Sequence, residues 1–222
     1  MGNIVSNKKT ILTTLLALTV VTLSAHTVNY EMERAPTGEV FSYYLGLGYK
    51  HILPEGFDHI LFVVGLCLLN ARLSTIIWQA TAFTVAHSIT LFLSMKNVFA
   101  LPSNIVEPII ALSILFVAIE NIILNELKPW RILIVFLFGL IHGLGFASSL
   151  NEIGLPRNSF LLSIFSFNVG VELGQLTIIL AFYLLAIRSF GKKHWYKKYI
   201  TYPLSGLIIL ISAYWFIERL IG

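Results

Sequence analysis

The sequence is poor in charged residues. Only 12% of its 222 residues are charged, whereas 57% are hydrophobic, and a soluble domain has roughly 25% charged residues. This deficit excludes a water-soluble protein, so lipid must be the solvent for most of the chain. Because each transmembrane helix needs about 20 mostly apolar residues, the length accommodates one helical bundle and no large separate domain.

Two further absences narrow the class of protein. The single cysteine, Cys67, lies inside an apolar run, so neither an intramolecular disulfide nor a thiolate metal cluster can form. No GxxxxGK[ST] run is present, which excludes an ATP site of that kind. The net charge of +4 arises from Lys and Arg between the apolar runs, a pattern typical of membrane topology, so no nucleic-acid partner is expected. The expected partners are the lipid bilayer and a metal ion, and the sequence is compatible with a homo-oligomer.

The N-terminal region predicts export. Residues 1–25 place Lys8 and Lys9 before an apolar run that ends at Ser24 and Ala25, which indicates either a cleaved signal peptide or an uncleaved signal anchor. Residues 26–50 are predicted to be an extracytoplasmic interfacial segment, because a polar first half precedes an aromatic stretch. The transmembrane bundle is predicted over residues 51–222.

Six apolar runs predict the core spans, at 56–70, 75–95, 104–125, 131–150, 159–187 and 200–220. With residue 30 outside, ten of the fifteen basic residues fall on the cytoplasmic side, as the positive-inside rule requires. Two GxxxG pairs, Gly139 with Gly143 and Gly170 with Gly174, predict close helix approach. We therefore expect an all-α, polytopic transmembrane helix bundle with six core spans plus the N-terminal signal peptide or anchor, in the bacterial inner (cytoplasmic) membrane.

Polar side chains within the predicted spans indicate the functional site. A charge at the bilayer centre costs about 2.5–3.5 kcal/mol, so such residues face a cavity or a partner. The candidate metal ligands are His51, Asp58, His59, His87, His142 and Glu172. The topology places three of the histidines in the outer half of the bundle, with Glu172 as the expected floor of the same cavity. Imidazole and carboxylate ligands without thiolate suit Ni²⁺, Co²⁺, Zn²⁺ or Fe²⁺.

Other polar residues are expected to support this site. They are Thr84, Ser88, Glu107, Glu120, Asn121, Asn168 and Gln175. The alternative for Thr84 and Ser88 is a hydrogen bond back to their own helix. A single membrane histidine is often only a hydrogen-bonded packing residue, whereas the convergence of several favours a shared site.

Five segments of the chain resemble the HupE/UreJ family of membrane proteins. They read HILPEGFDHILF (51–62), WQATAFTVAHS (78–88), VEPIIALS (106–113), FGLIHGLGFA (138–147) and FNVGVELGQ (167–175). The resemblance implies a secondary permease for Ni²⁺ or Co²⁺ as substrate, in which His51, Asp58 and His59 recognise the metal. Six residues separate His51 from Asp58, more than is usual in such transporters. Pro54 and Gly56 predict a turn that returns His51 toward His59.

Two other functions remain open on the sequence. A membrane-embedded hydrolase would hold Zn²⁺ on three histidines facing an external substrate, with Asp58 or Glu172 as the base. A non-catalytic assembly partner would tolerate loss of the polar residues. Only the permease needs a polar path to the cytoplasmic side, for which Glu120, Asn121 and Gln175 are the expected inner steps, and it needs no catalytic residue.

Overall fold

The computed structural model describes residues 31–69 and 72–221, so the predicted signal peptide or anchor lies outside the described residues. Within these ranges the regular structure is entirely helical. The helices are α1 (Thr37–Ile52), α2 (Phe57–Leu68), α3 (Leu73–Met95), α4 (Ser103–Ile123), α5 (Arg131–Ile153), α6 (Phe160–Phe182) and α7 (Tyr202–Ile221). A π-helical turn, Tyr183–Ile187, continues α6 to Phe190, and another, Lys197–Thr201, precedes α7.

The helices confirm the predicted polytopic bundle. Five are long and apolar enough to cross a membrane: α3, α4, α5, the continuous helix Phe160–Phe190, and α7 with its preceding turn. The sixth crossing is a pair of shorter helices, α1 and α2, bent by 69° at the break between them. The short apolar run predicted at 56–70 is therefore the second half of a broken span.

Helix α1 corrects the predicted boundary at residue 51. The segment expected to be interfacial becomes helical from Thr37, and α1 continues across the boundary to Ile52. Its buried residues recur at every fourth position, Val40, Tyr44, Gly48 and Ile52, and form a stripe that packs on α6. Because its charged residues lie off this stripe, α1 is too polar on average to be recognised as part of a span. Its extracytoplasmic location stays a prediction.

The α1–α2 pair extends from one end of the bundle to the other. Near the start of α1, the Tyr44 hydroxyl donates to the carbonyl of Gly154, just beyond α5, at 2.8 Å. At the end of α2, the Thr201 hydroxyl donates to the carbonyl of Leu68 at 3.1 Å, just before α7. Since the long helix Phe160–Phe190 separates these two ends, the broken pair crosses the bundle once.

The small residues of the GxxxG pairs lie where helices cross. A Cβ atom on Gly139 would overlap the carbonyl of Phe83, and one on Gly143 would overlap the carbonyl of His87. On the other side, a Cβ on Gly170 would overlap the carbonyl of Leu45 in α1. These contacts confirm the predicted close approach and bring α5 and α1 against the two helices that carry the polar residues of the interior.

Candidate metal centre

Four histidines meet inside the bundle at the break between α1 and α2. His51 is in the last turn of α1 and His59 in the first turn of α2. The ring centroids of these two residues are 4.7 Å apart, which confirms the predicted return of the chain. Gly56 permits this turn, since a Cβ atom there would overlap the carbonyl of His51. His87 comes from α3, with its ring centroid 6.2 Å from those of both His51 and His59.

Three of these imidazoles form a group of metal-binding size. One ring nitrogen from each of His51, His59 and His87 lies within 4.8 Å of the other two. The Nε2 atoms of all three are buried and have no hydrogen-bond partner. Buried polar atoms are nearly always paired, so three adjacent unpaired nitrogens indicate a site shaped for a cation that accepts their lone pairs.

The other ring nitrogen of two ligands is held by a neighbouring acceptor. His59 Nδ1 lies 3.0 Å from Oδ1 of Asp58, which also accepts from the His59 backbone N–H at 2.8 Å. His87 Nδ1 lies 3.2 Å from Oδ1 of Asn168. A carboxylate or amide oxygen only accepts, so both Nδ1 atoms carry the proton and both Nε2 atoms keep a lone pair. Such outer partners fix the tautomer and orientation of metal-binding histidines.

His142 is the fourth imidazole, with its ring centroid 5.0 Å from that of His59. The Ser113 hydroxyl donates to the carbonyl of Ile110 at 2.7 Å and lies 3.0 Å from His142 Nε2. Because that hydroxyl proton is already used, Ser113 accepts from Nε2–H and leaves Nδ1 of His142 with a lone pair. This Nδ1 atom is buried without a partner, so His142 borders the three-histidine group as an additional donor.

Aromatic rings enclose the histidines. The ring centroid of Phe146 is 3.9 Å from that of His51, and Phe167 stacks on Phe146 at 4.9 Å. Phe83 lies 5.8 Å from His59 and 4.9 Å from His142. Phe83 and Phe167 are fully buried. This apolar shell limits water access and lowers the local dielectric around the nitrogens.

A cavity of about 250 Å³ reaches the histidines from one end of the bundle. Its lining includes His51, Asp58, His59 and His142 on the inner side, and Glu107 and Arg219 near the ends of α4 and α7. The sequence-based topology places this end of the bundle outside the cytoplasm. Arg219 was not expected at the site, because a basic residue near a span end is already explained by topology.

Glu172 does not join the three-histidine group. Its Oε1 accepts from the Thr81 hydroxyl at 2.6 Å, while Oε2 is buried without a partner. It lines a separate groove between α3 and α6, together with Thr84, Ser88 and Asn168. The helical spacing of Asn168 and Glu172 explains the difference: Asn168 lies at the level of His87, whereas Glu172 is one turn further along α6.

The other supporting residues divide between α3 and the far end of the bundle. The Thr84 hydroxyl contacts Gln175 Oε1 at 3.1 Å, and Ser88 donates back to the Thr84 carbonyl at 2.6 Å. Ser88 thus adopts the alternative bond to its own helix, whereas Thr84 links α3 to α6. The Nε2 atom of Gln175 is buried without a partner.

Glu120 and Asn121 contact a buried arginine that the sequence analysis treated only as a topology signal. Arg131 Nε lies 3.2 Å from Glu120 Oε2, and the side chains are 1% and 4% exposed. Both terminal nitrogens of Arg131 donate to Asn121 Oδ1 at 3.3 Å, and Asn121 donates to the Gly65 carbonyl of α2 at 2.8 Å. This network ties α2, α4 and α5 together at the end opposite the cavity.

The fold and the site define a multi-pass helical membrane protein with a histidine cluster at a helix break. The model of the HupE / UreJ protein family matches residues 26–219, and the chain belongs to this family. A search among curated proteins and one among solved structures found no significant match.

Proposed function

We propose that this protein is a secondary permease for Ni²⁺ or Co²⁺ in the bacterial inner membrane. The observation that carries the proposal is the group of three histidine nitrogens within 4.8 Å of one another, buried and unpartnered. Imidazole suits these ions, and the absence of thiolate disfavours softer ones. Membership of the HupE/UreJ family supports transport as the outcome of binding.

The location of the cluster supports movement of the ion. Broken membrane helices place helix ends, instead of continuous backbone, at the substrate site of many transporters. Here His51 ends one half-helix and His59 begins the next. The cavity reaches the cluster from the predicted outer end, while the buried Glu120–Arg131 pair closes the helices together at the opposite end. We therefore interpret this arrangement as an outward-facing state of the permease.

The inward path and the driving force follow from the same interior. Beyond the histidines, the unpartnered Gln175 amide and the Glu172 carboxylate are the next polar groups on α6. Opening of the Glu120–Arg131 pair would complete the path to the cytoplasm. The membrane potential contributes about 2.3 kcal/mol per charge per 100 mV, so a divalent cation needs no nucleotide to be drawn inward.

The geometry gives less support to the Zn²⁺ hydrolase alternative. Such an enzyme needs a carboxylate base directed at a metal-bound water. Asp58 Oδ1 instead accepts from the imidazole and the backbone of His59, and Glu172 lies in the groove beside Thr81. Neither base suggested by the sequence therefore has the required position.

Radioactive nickel and cobalt uptake tests the proposal. Cells expressing the wild type are compared with His59→Ala and His87→Ala cells, and with His194→Ala as a control because that histidine is exposed outside the cluster. We expect uptake to be lost in the two cluster variants and kept in the control, at equal amounts of protein in the membrane. Equal uptake by the wild type and His59→Ala would refute the permease assignment.

A further inference from the structure

An ion pair lies at the mouth of the cavity that leads to the histidines. Glu107, near the start of α4, and Arg219, near the end of α7, both line this cavity. Arg219 Nε is 4.0 Å from Glu107 Oε2, and Arg219 Nη1 donates to the Glu107 carbonyl at 3.2 Å. Any ion that enters through this cavity passes a carboxylate already occupied by a guanidinium.

The arginine has no evident reason to be there if the cavity is only a path for cations. A guanidinium does not lose its proton in proteins, so its charge opposes an approaching divalent ion. It can remove that opposition only by moving. The 4.0 Å separation is at the limit for an ion pair, and the Glu107 side chain is 52% exposed, conditions under which such pairs are weak.

The structure also provides another position for the arginine. The guanidinium carbon lies 5.3 Å from the ring centroid of Trp215, one turn earlier on α7. An aromatic face attracts a guanidinium even at an exposed site. Arg219 could therefore leave the Glu107 carboxylate while keeping its contact with Trp215.

We propose that Glu107 is the entry ligand for the divalent cation and that Arg219 is a tethered competitor for that carboxylate. A doubly charged ion displaces the guanidinium, whereas a singly charged ion gains too little from one carboxylate to do so. The pair thus selects for charge before the ion reaches the histidines. This inference rests on the proposed permease function but is tested by binding as well as by uptake.

Binding of Ni²⁺ to the purified full-length protein in lipid nanodiscs tests the competition. Arg219→Gln is expected to lower the Kd about two- to fivefold, the range of a weak exposed ion pair. Arg219→Lys should stay near the wild type because it keeps the charge. Glu107→Gln should weaken binding, and Arg219→Gln should give no gain when added to it, since the two residues act as one unit. Arg157→Gln is the control, because Arg157 is exposed and lines a different cavity.

Selection for charge is tested by replacing N-methylglucamine with Na⁺ at constant ionic strength. Wild-type nickel binding should be insensitive to the exchange, and Arg219→Gln binding should weaken because Na⁺ can then occupy Glu107. The proposal is overturned if Arg219→Gln leaves both the Kd and the Na⁺ response unchanged, or if it lowers the Kd equally in the Glu107→Gln background. Wild-type binding without uptake would contradict the permease alone, and the same variants would still decide the role of the pair.

Discussion

Replacing Asn168 tests whether the partner of a histidine controls metal affinity. The Asn168 side chain holds His87 Nδ1 through one contact of 3.2 Å, and His87 is fully buried. Asn168→Leu removes the acceptor, so Nδ1–H loses a buried partner and the tautomer is no longer fixed. Loss of an outer partner typically weakens metal binding by 10- to 100-fold. Because this is a single neutral hydrogen bond, we expect the lower end, about tenfold or about 1.4 kcal/mol.

Calorimetric titration of Ni²⁺ into the purified protein measures this change. Asn168→Asp is the matched variant, because it keeps an acceptor and should bind nickel at least as tightly as the wild type. Asn104→Leu controls for loss of an amide, since Asn104 is exposed at the start of α4. Equal nickel affinity in the wild type and Asn168→Leu, with thermal stability unchanged, would refute the role of this contact.

Three further predictions concern stability and pH. Gly143→Ala should destabilise the protein by about 1–3 kcal/mol, the usual cost of overpacking, because its Cβ would overlap the carbonyl of His87; thermal unfolding measures this. Glu120→Gln should cost about 3–5 kcal/mol, because it leaves the buried Arg131 without its carboxylate; denaturant unfolding in micelles measures it. Nickel affinity should fall about tenfold or more between pH 7.5 and pH 5.5, because protons compete for imidazole nitrogens with a reference pKa near 6.5.

Controls for these variants come from the same chain. A Cβ atom on Gly46 meets nothing within 4 Å, so Gly46→Ala should leave the unfolding temperature unchanged. Glu126 pairs with Lys128 in the loop between α4 and α5, where the Lys128 ammonium lowers the pKa of the Glu126 carboxyl. Since this pair is exposed, Glu126→Gln should have little effect. Equal losses in a variant and its control, or nickel affinity independent of pH, would contradict the account.

The long spans were predictable because each is a continuous apolar run. The predicted 75–95 and 104–125 correspond to Leu73–Met95 and Ser103–Ile123. Helix α1 was missed because only one face is buried, at Val40, Tyr44, Gly48 and Ile52, while the sequence average is polar. The spacing of these four residues is the signal that would have identified it.

The histidines could be recognised because a bilayer tolerates such residues only at a shared site. Which partners complete the site depended on the rotation and depth of each helix. Asn168 and Glu172 share a face of α6, yet only Asn168 contacts an imidazole. Arg131 and Ser113 gave no comparable signal, since a basic residue at a span end and a serine within a span are both ordinary.

The most direct test of the central claim is an anomalous-scattering map of the protein crystallised with Ni²⁺, recorded at the nickel absorption edge. The account predicts one dominant peak at bonding distance from ring nitrogens of His51, His59 and His87, lost in His59→Ala crystals. A dominant peak elsewhere, such as the Glu172 groove, with no density between the three histidines at saturating nickel, would contradict it.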